Sequence, residues 1–172
     1  ALEITHGITR IIFDKTGTLT EGKPSLTDWL PAGPDDPGDL CIVAGAESGS
    51  EHPVAQAIVR GAEERGCVLP APERFLAFPG RGIEAGVGGH AVRIGAPGWI
   101  AEHAPLTREA ERMAPVLADG GKTVMAAMID GRYAGLLAVA DRIKPEAGKV
   151  VAELARMGIQ PVMLTGDNER TA

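Results

Sequence analysis

Two short apolar runs near opposite ends of the chain constrain its fold more than any other feature. Residues 8–13 read ITRIIF, show no polar alternation at their end, and stop at Asp14 in a Gly/Thr-rich stretch. Residues 160–164 read QPVML and stop at TGDN. Runs of this length bounded by turn residues predict buried strands of a parallel sheet, and open α/β sheets place ligands at the carboxyl ends of such strands. Just before the second run, residues 144–157 carry Ala147, Val150, Val151, Leu154 and Ala155 on one helical face and end at Gly158. The chain ends therefore predict a strand, a helix and a strand of one parallel sheet, split by everything between them.

The intervening sequence has another character. A strand is expected over residues 25–30, then a solvated loop, PAGPDDPGD. From Leu40 two helices are expected, separated by a turn around Gly49 to Pro53. The second has Pro53 in its first turn, an apolar face of Val54, Ala55, Ile58, Val59 and Ala62, and Gly66 at its end. Glycine-punctuated strands follow over residues 75–78, 83–87 and 91–94, then a helix over 108–118 that turns Ala110, Met113, Ala114 and Leu117 inward and whose end Pro115 leaves open. Residues 123–129 and 133–139, joined at Asp130-Gly131, predict a hairpin. The polar, proline-bearing DRIKP segment reads as a hinge back to the first domain. The expected architecture is α/β: a parallel-sheet domain from residues 1–24 and 141–172, interrupted by an α+β domain of residues 25–140 built on an antiparallel sheet.

Composition removes several functions. The net charge of −6 is spread without a basic run and only 3% of residues are aromatic, which argues against nucleic acid. Cys41 and Cys67 do not form a CxxC pair, and His6, His52, His90 and His103 are scattered, so no metal-ligand spacing is visible. Both cysteines are expected to be small hydrophobes in a reducing compartment. No stretch approaches the roughly 20 apolar residues of a membrane helix, and the N-terminus lacks the order of a signal peptide, so a soluble chain is expected.

The chemistry concentrates at Asp14, in the heptapeptide DKTGTLT. A carboxylate at a strand end can attack a phosphoryl group, with the turn amides and small hydroxyls after it cradling phosphate oxygens and Lys15 adding positive charge. Two positions on stands Thr16, not a second carboxylate. Without an acid there to protonate a leaving group and later activate water, an acyl-phosphate should persist. Persistence suits a machine that couples the intermediate to a conformational step.

DKTGTLT resembles the motif of P-type ATPases, within the haloacid-dehalogenase-like superfamily with its Rossmann-like sheet. Thr165-Gly166-Asp167-Asn168 is similar to the family's TGDN segment. There the resemblance implies that Thr165 contacts the transferring phosphate and Asp167 lies by the nucleotide. Ser50-Glu51-His52-Pro53, with Glu47 ahead of it, looks like the SEHP segment of the heavy-metal-transporting (type IB) branch. In that branch the Glu and His line the adenine pocket. Gly80 and Gly82 match the same branch's GxGxxA turn, and Gly95 its Gly-Asn pair, although Ala96 replaces the Asn.

The resemblance implies a phosphorylation domain, incomplete here, carrying an inserted nucleotide-binding domain. Adenine would be held by Glu47, His52, Gly80, Gly82 and Gly95. Asp14, Lys15, Thr16, Thr165 and Asp167 would carry phosphoryl transfer, and Mg2+ would bind the Asp14 carboxylate and the Thr16 carbonyl. It also implies an actuator domain and metal-binding membrane helices before Ala1 and a GDGxND segment beyond Ala172. The chain would then be a segment, on the cytoplasmic side of a membrane, of an ATP-driven exporter whose heavy-metal ion binds in the membrane part. The alternatives are a phosphatase of the same superfamily with the insert as a cap, and a nucleotide-binding module without catalysis.

Overall fold

A computed structural model describes residues 8–33 and 37–164. They form two compact units, one from residues up to Lys23 and from Asp141 onward, the other Pro24–Ala140.

The first unit begins with β1 (Arg10–Asp14), followed by a single wide helical turn, Lys15–Leu19, in which the Thr20 N–H reaches back to the Lys15 carbonyl. It ends with α5 (Ala147–Arg156) and β8 (Gln160–Leu164). β1 and β8 pair in parallel, from Arg10 opposite Gln160 to Asp14 opposite Leu164, as the two apolar runs predict. Gly158, with φ of +76°, closes α5; its N–H bonds to Ala155 and that of Ile159 reaches Leu154, the pairing of a glycine-terminated helix. The expectation of deep burial does not hold among the described residues. Ile12 is 63% exposed, Val150 is 46% exposed, and α5 has no buried residue. Two strands and one helix shield each other on one side only. The helix is also shorter than the 144–157 expected, starting at Ala147.

The second unit is a six-stranded sheet in the order β2, β7, β6, β5, β4, β3, where β2 is Thr20–Pro31, β3 Pro72–Phe78, β4 Gly82–Val87, β5 His90–Gly95, β6 Thr123–Ile129 and β7 Arg132–Ile143. The pairs from β3 through β7 are antiparallel. β2 and β7 are 12 residues each, and Asp141 to Ile143 of the DRIKP segment form the end of β7. One face of the sheet packs on α1 (Pro37–Glu47) and α2 (Pro53–Glu63), with Val43, Ala44 and Ile58 meeting Val87, Ile94, Ala127 and Leu137. The other face packs on α3 (Pro97–Ala101) and α4 (Arg108–Asp119), with Trp99, Ile100 and Ala110 meeting Ala126, Tyr133 and Leu136. Successive residues Ala126 and Ala127, or Leu136 and Leu137, enter opposite cores, which is why β6 and β7 read as unbroken apolar runs while β4 alternates.

Asp130 and Gly131 both have positive φ, the geometry of the tight hairpin expected between β6 and β7. α4 continues through Pro115 to Asp119. One expectation is overturned: Cys41 and Cys67 are not free thiols but a disulfide, with Cα atoms 5.2 Å apart. The α1–α2 hairpin folds the chain back and brings them together, although they lie 26 positions apart in sequence.

Candidate functional site

Asp14 is the last residue of β1, and its side chain is exposed at the carboxyl end of the parallel pair. The β-branched Ile11 and Ile12 favour the strand, and the turn after Asp14 ends it, with Gly17 in the left-handed region at φ +76°. In register opposite Asp14 is Leu164, the residue immediately before Thr165. Thr165 and Asp167 themselves lie outside the described residues. Lys15 is half-buried, and Thr16 lies within the turn. Not all hydroxyls of the heptapeptide are open to a phosphate: Thr20 is only 1% exposed, and its Oγ1 sits 2.5 Å from the Asp141 carboxylate.

Glu47 closes α1 and is 3% exposed. Its Oε1 is buried with no hydrogen-bonding partner among the described residues, and burial pushes the carboxyl from 4.5 up to about 7. Such an atom costs free energy unless something satisfies it. Five residues on, His52 caps α2; its Nδ1 accepts the Val54 N–H at 3.2 Å, which fixes the ring and requires the tautomer with Nδ1 unprotonated. The loop between them lies on β3: a Cβ added at Gly49 would be 2.8 Å from the Phe75 ring.

Gly80, Gly82 and Gly95 come together where the β3–β4 turn meets the end of β5. Gly82 and Gly95 are direct cross-strand partners, and the Ala96 N–H bonds to the Arg81 carbonyl at 3.0 Å. The glycines differ in what they make room for. A Cβ at Gly82 would come within 2.0 Å of the Ile94 carbonyl and one at Gly95 within 2.2 Å of the Arg81 carbonyl, and both would strike Trp99. Their missing side chains admit the protein's own backbone and indole. Gly80, at φ +74°, has nothing within 4 Å of its Cβ position and faces open space.

Trp99 was not singled out by sequence reasoning, although the Ala-Pro-Gly-Trp start of α3 was a visible helix entry. It stacks near Phe78, with ring centroids 5.2 Å apart, and lies under the Arg81 and Arg93 guanidiniums. Arg93 also pairs with Glu84 on the same face. That face carries a cleft of about 660 Å³ over β3–β5, lined among others by Leu76, Glu84, Gly86, Arg93 and Met128, and it includes none of Glu47, His52, Gly80, Gly82 or Gly95. No cluster of three or more His, Cys, Asp or Glu side chains able to hold a metal ion occurs among the described residues.

Residues 8–172, which include Asp14 and the glycine turn after it, match the profile of haloacid dehalogenase-like hydrolases. The chain belongs to that family. Within it, the chain is 45% identical over 176 residues to a copper-exporting P-type ATPase of Bacillus subtilis, spanning 99% of itself and 21% of that relative. The structure is similar to a zinc-transporting PIB-type ATPase in its E2.Pi state, with a TM-score of 0.80 and 37% identity over 95% of this chain and 26% of that one. It is also similar to the catalytic domain of the CPx-ATPase CopB-B, from a study of its changes upon nucleotide binding, with a TM-score of 0.68 and 26% identity over 98% of this chain and 58% of that one. The chain thus spans about a fifth of the length of the curated relative, and no described helix is long and apolar enough to cross a membrane. The expected fold, a haloacid-dehalogenase-like part with parallel strands and an antiparallel sheet with helices, is the one found.

Proposed function

We propose that this chain is the ATP-binding and aspartyl-phosphorylation segment of an ATP-driven heavy-metal export pump, acting on the cytoplasmic side of a membrane. The observation that carries the reading is the exposed Asp14 carboxylate at the carboxyl end of β1, in register with the residue before Thr165. An Asp14 oxygen attacks the γ-phosphorus of ATP, the bond to the β-phosphate oxygen breaks, and the products are an aspartyl phosphate and ADP. Lys15 and Thr16 follow the nucleophile in the turn, and Thr165 and Asp167 are assigned to the phosphate and nucleotide by resemblance.

The inserted unit is assigned the nucleotide. The partnerless Glu47 Oε1 fits a ligand rich in ring nitrogens and an exocyclic amine, because adenine can hydrogen-bond that carboxyl in either protonation state. His52, Gly80, Gly82 and Gly95 complete the proposed pocket, with Gly80 the one glycine that leaves its space open. Mg2+ is a hard cation that takes oxygen ligands, and the solvent-facing Asp14 carboxylate with the Thr16 carbonyl is a donor set of that kind. When bound it supplies neutralisation of phosphate charge, in a chain whose own net charge of −6 repels ATP. The remaining partners are the actuator and membrane domains of the same polypeptide, and a metal ion that binds there.

The test uses the full-length pump and ATP labelled at the γ-phosphate. Wild type should yield an acid-stable phosphoprotein, and Asp14→Asn none, with ATP affinity retained. Equal labelling of Asp14→Asn would sink the assignment.

A further inference from the structure

Five residues separate Asp14 from Thr20, and the turn they form contains Gly17, whose backbone has more freedom than any other residue's. A nucleophile gains rate from being held in a near-attack position, and misplacement by about 1 Å can cost on the order of a hundredfold. Something must therefore remove the freedom of this turn. β1 ends at Asp14 and supplies none of that restraint beyond it.

The restraint comes from the returning strand, more than a hundred residues later. The Thr20 hydroxyl donates to Asp141 Oδ2 at 2.5 Å and accepts the Gly17 N–H at 3.2 Å, while the Thr20 backbone N–H takes the Lys15 carbonyl. Asp141 also accepts the backbone N–H groups of Gly22 at 3.1 Å and Lys23 at 3.0 Å. Three residues after Asp141, Lys144 donates from Nζ to the Gly17 carbonyl at 2.8 Å and from its backbone N–H to the Leu19 carbonyl at 2.9 Å. Gly22 packs so closely that a Cβ on it would be 3.3 Å from Gly17 Cα. Lys15, Gly17 and Leu19 are thus each tied by a hydrogen bond.

The geometry points to Thr20 and Asp141 as positioning residues that set the acceptor turn after Asp14. This rests on the reading of Asp14 as the phosphoryl acceptor. If Asp141 served only to close the β2 backbone, its bonds to Gly22 and Lys23 would suffice; the short bond to a buried hydroxyl, which in turn holds Gly17, extends its reach into the acceptor turn. A hydroxyl bonded to a carboxylate is among the stronger neutral-to-ion contacts, and the 1% exposure of Thr20 shields it from competing water.

The test is the rate of phosphoenzyme formation in the full-length pump at saturating ATP, with ATP affinity measured alongside. Thr20→Val keeps the shape and removes the hydroxyl; it should slow phosphorylation by about tenfold or more while ATP affinity stays within about twofold. Thr20→Ser should restore most of the rate. Asp141→Asn should slow the step comparably, and the double variant Thr20→Val with Asp141→Asn should be far less than multiplicatively slower. A Thr20→Val enzyme at wild-type rate, or a Thr20→Ser enzyme as slow as Thr20→Val, overturns the proposal. If Thr20→Val fails to fold, shown by lost ATP binding, Asp141→Asn with Thr20→Ser decides it in the same way. Asp14→Asn run in parallel separates the two ideas: labelling of that variant refutes the acceptor reading, whereas its loss beside an unaffected Thr20→Val refutes only the positioning role.

Discussion

Gly82 and Gly95 face each other across the β4–β5 pair, and both press against the indole of Trp99. Trp99 is 6% exposed and anchors the core on its side of the sheet. The two glycines are thus the floor on which a large aromatic side chain lies, at the point where the β3–β4 turn and the end of β5 converge.

Replacing Gly82 by Ala should therefore be costly. The new Cβ would meet the Ile94 carbonyl at 2.0 Å, a backbone atom that cannot swing aside, and φ is +152°. Overpacking plus backbone strain predicts a loss of about 3 kcal/mol or more in unfolding free energy. Gly80→Ala has an open Cβ site and only the left-handed φ of +74° to overcome, so its cost should be about 1 kcal/mol. Urea unfolding of both variants checks the ranking. A Gly80→Ala loss equal to that of Gly82→Ala would contradict the close approach to Ile94.

The disulfide predicts a thiol count. Denatured without reductant, the purified chain should present no thiol to an alkylating reagent, and two after reduction, since Cys41 and Cys67 are its only cysteines. In the loop-closure picture a bridge over 26 positions stabilises by about 3 kcal/mol, which reduction or Cys41→Ser should remove from the unfolding free energy. Two reactive thiols in the unreduced chain would show the pair to be open.

Much of this was legible in sequence because the decisive signals were local. The apolar runs ending at Asp14 and Leu164 announced the parallel strands, and Asp130-Gly131 announced the β6–β7 turn through its demand for positive φ. Elements too short to show a period were not: α3 is five residues long, less than two turns. Pairings across long separations were equally hidden. Asp141 read as a polar hinge residue because its partner Thr20 lies 121 positions away, and Cys41 read as a free thiol because only the α1–α2 hairpin brings Cys67 to it. Burial of β1 and α5 was overestimated for the complementary reason: an apolar face shows that something should cover it and does not say what. At the site, Glu47 and His52 were singled out by resemblance, but that Glu47 is buried with its Oε1 unpartnered among the described residues depends on how α1 packs.

Glu47 makes stability depend on pH in a direction opposite to that of most carboxylates. Its buried carboxyl titrates near 7 in the folded chain against 4.5 ordinarily, because burial disfavours the charged form. Between those values the folded state holds a proton that the unfolded state has released. The unfolded chain binds fewer protons there, so stability falls as pH rises from about 4.5 to about 7 and levels off above. The full span corresponds to about 3 kcal/mol at most. Glu47→Gln cannot ionise and should lack this slope, so the difference in unfolding free energy between wild type and variant should move in favour of wild type on going from about pH 8 to about pH 5. Urea titrations of both proteins at the two pH values measure it, and a difference that does not change with pH would mean that the Glu47 carboxyl is solvated or partnered in the folded chain. Adenine bound against Oε1 by donating its exocyclic amine would favour the ionised carboxylate and should flatten the wild-type slope when ATP is saturating, with no such flattening in Glu47→Gln.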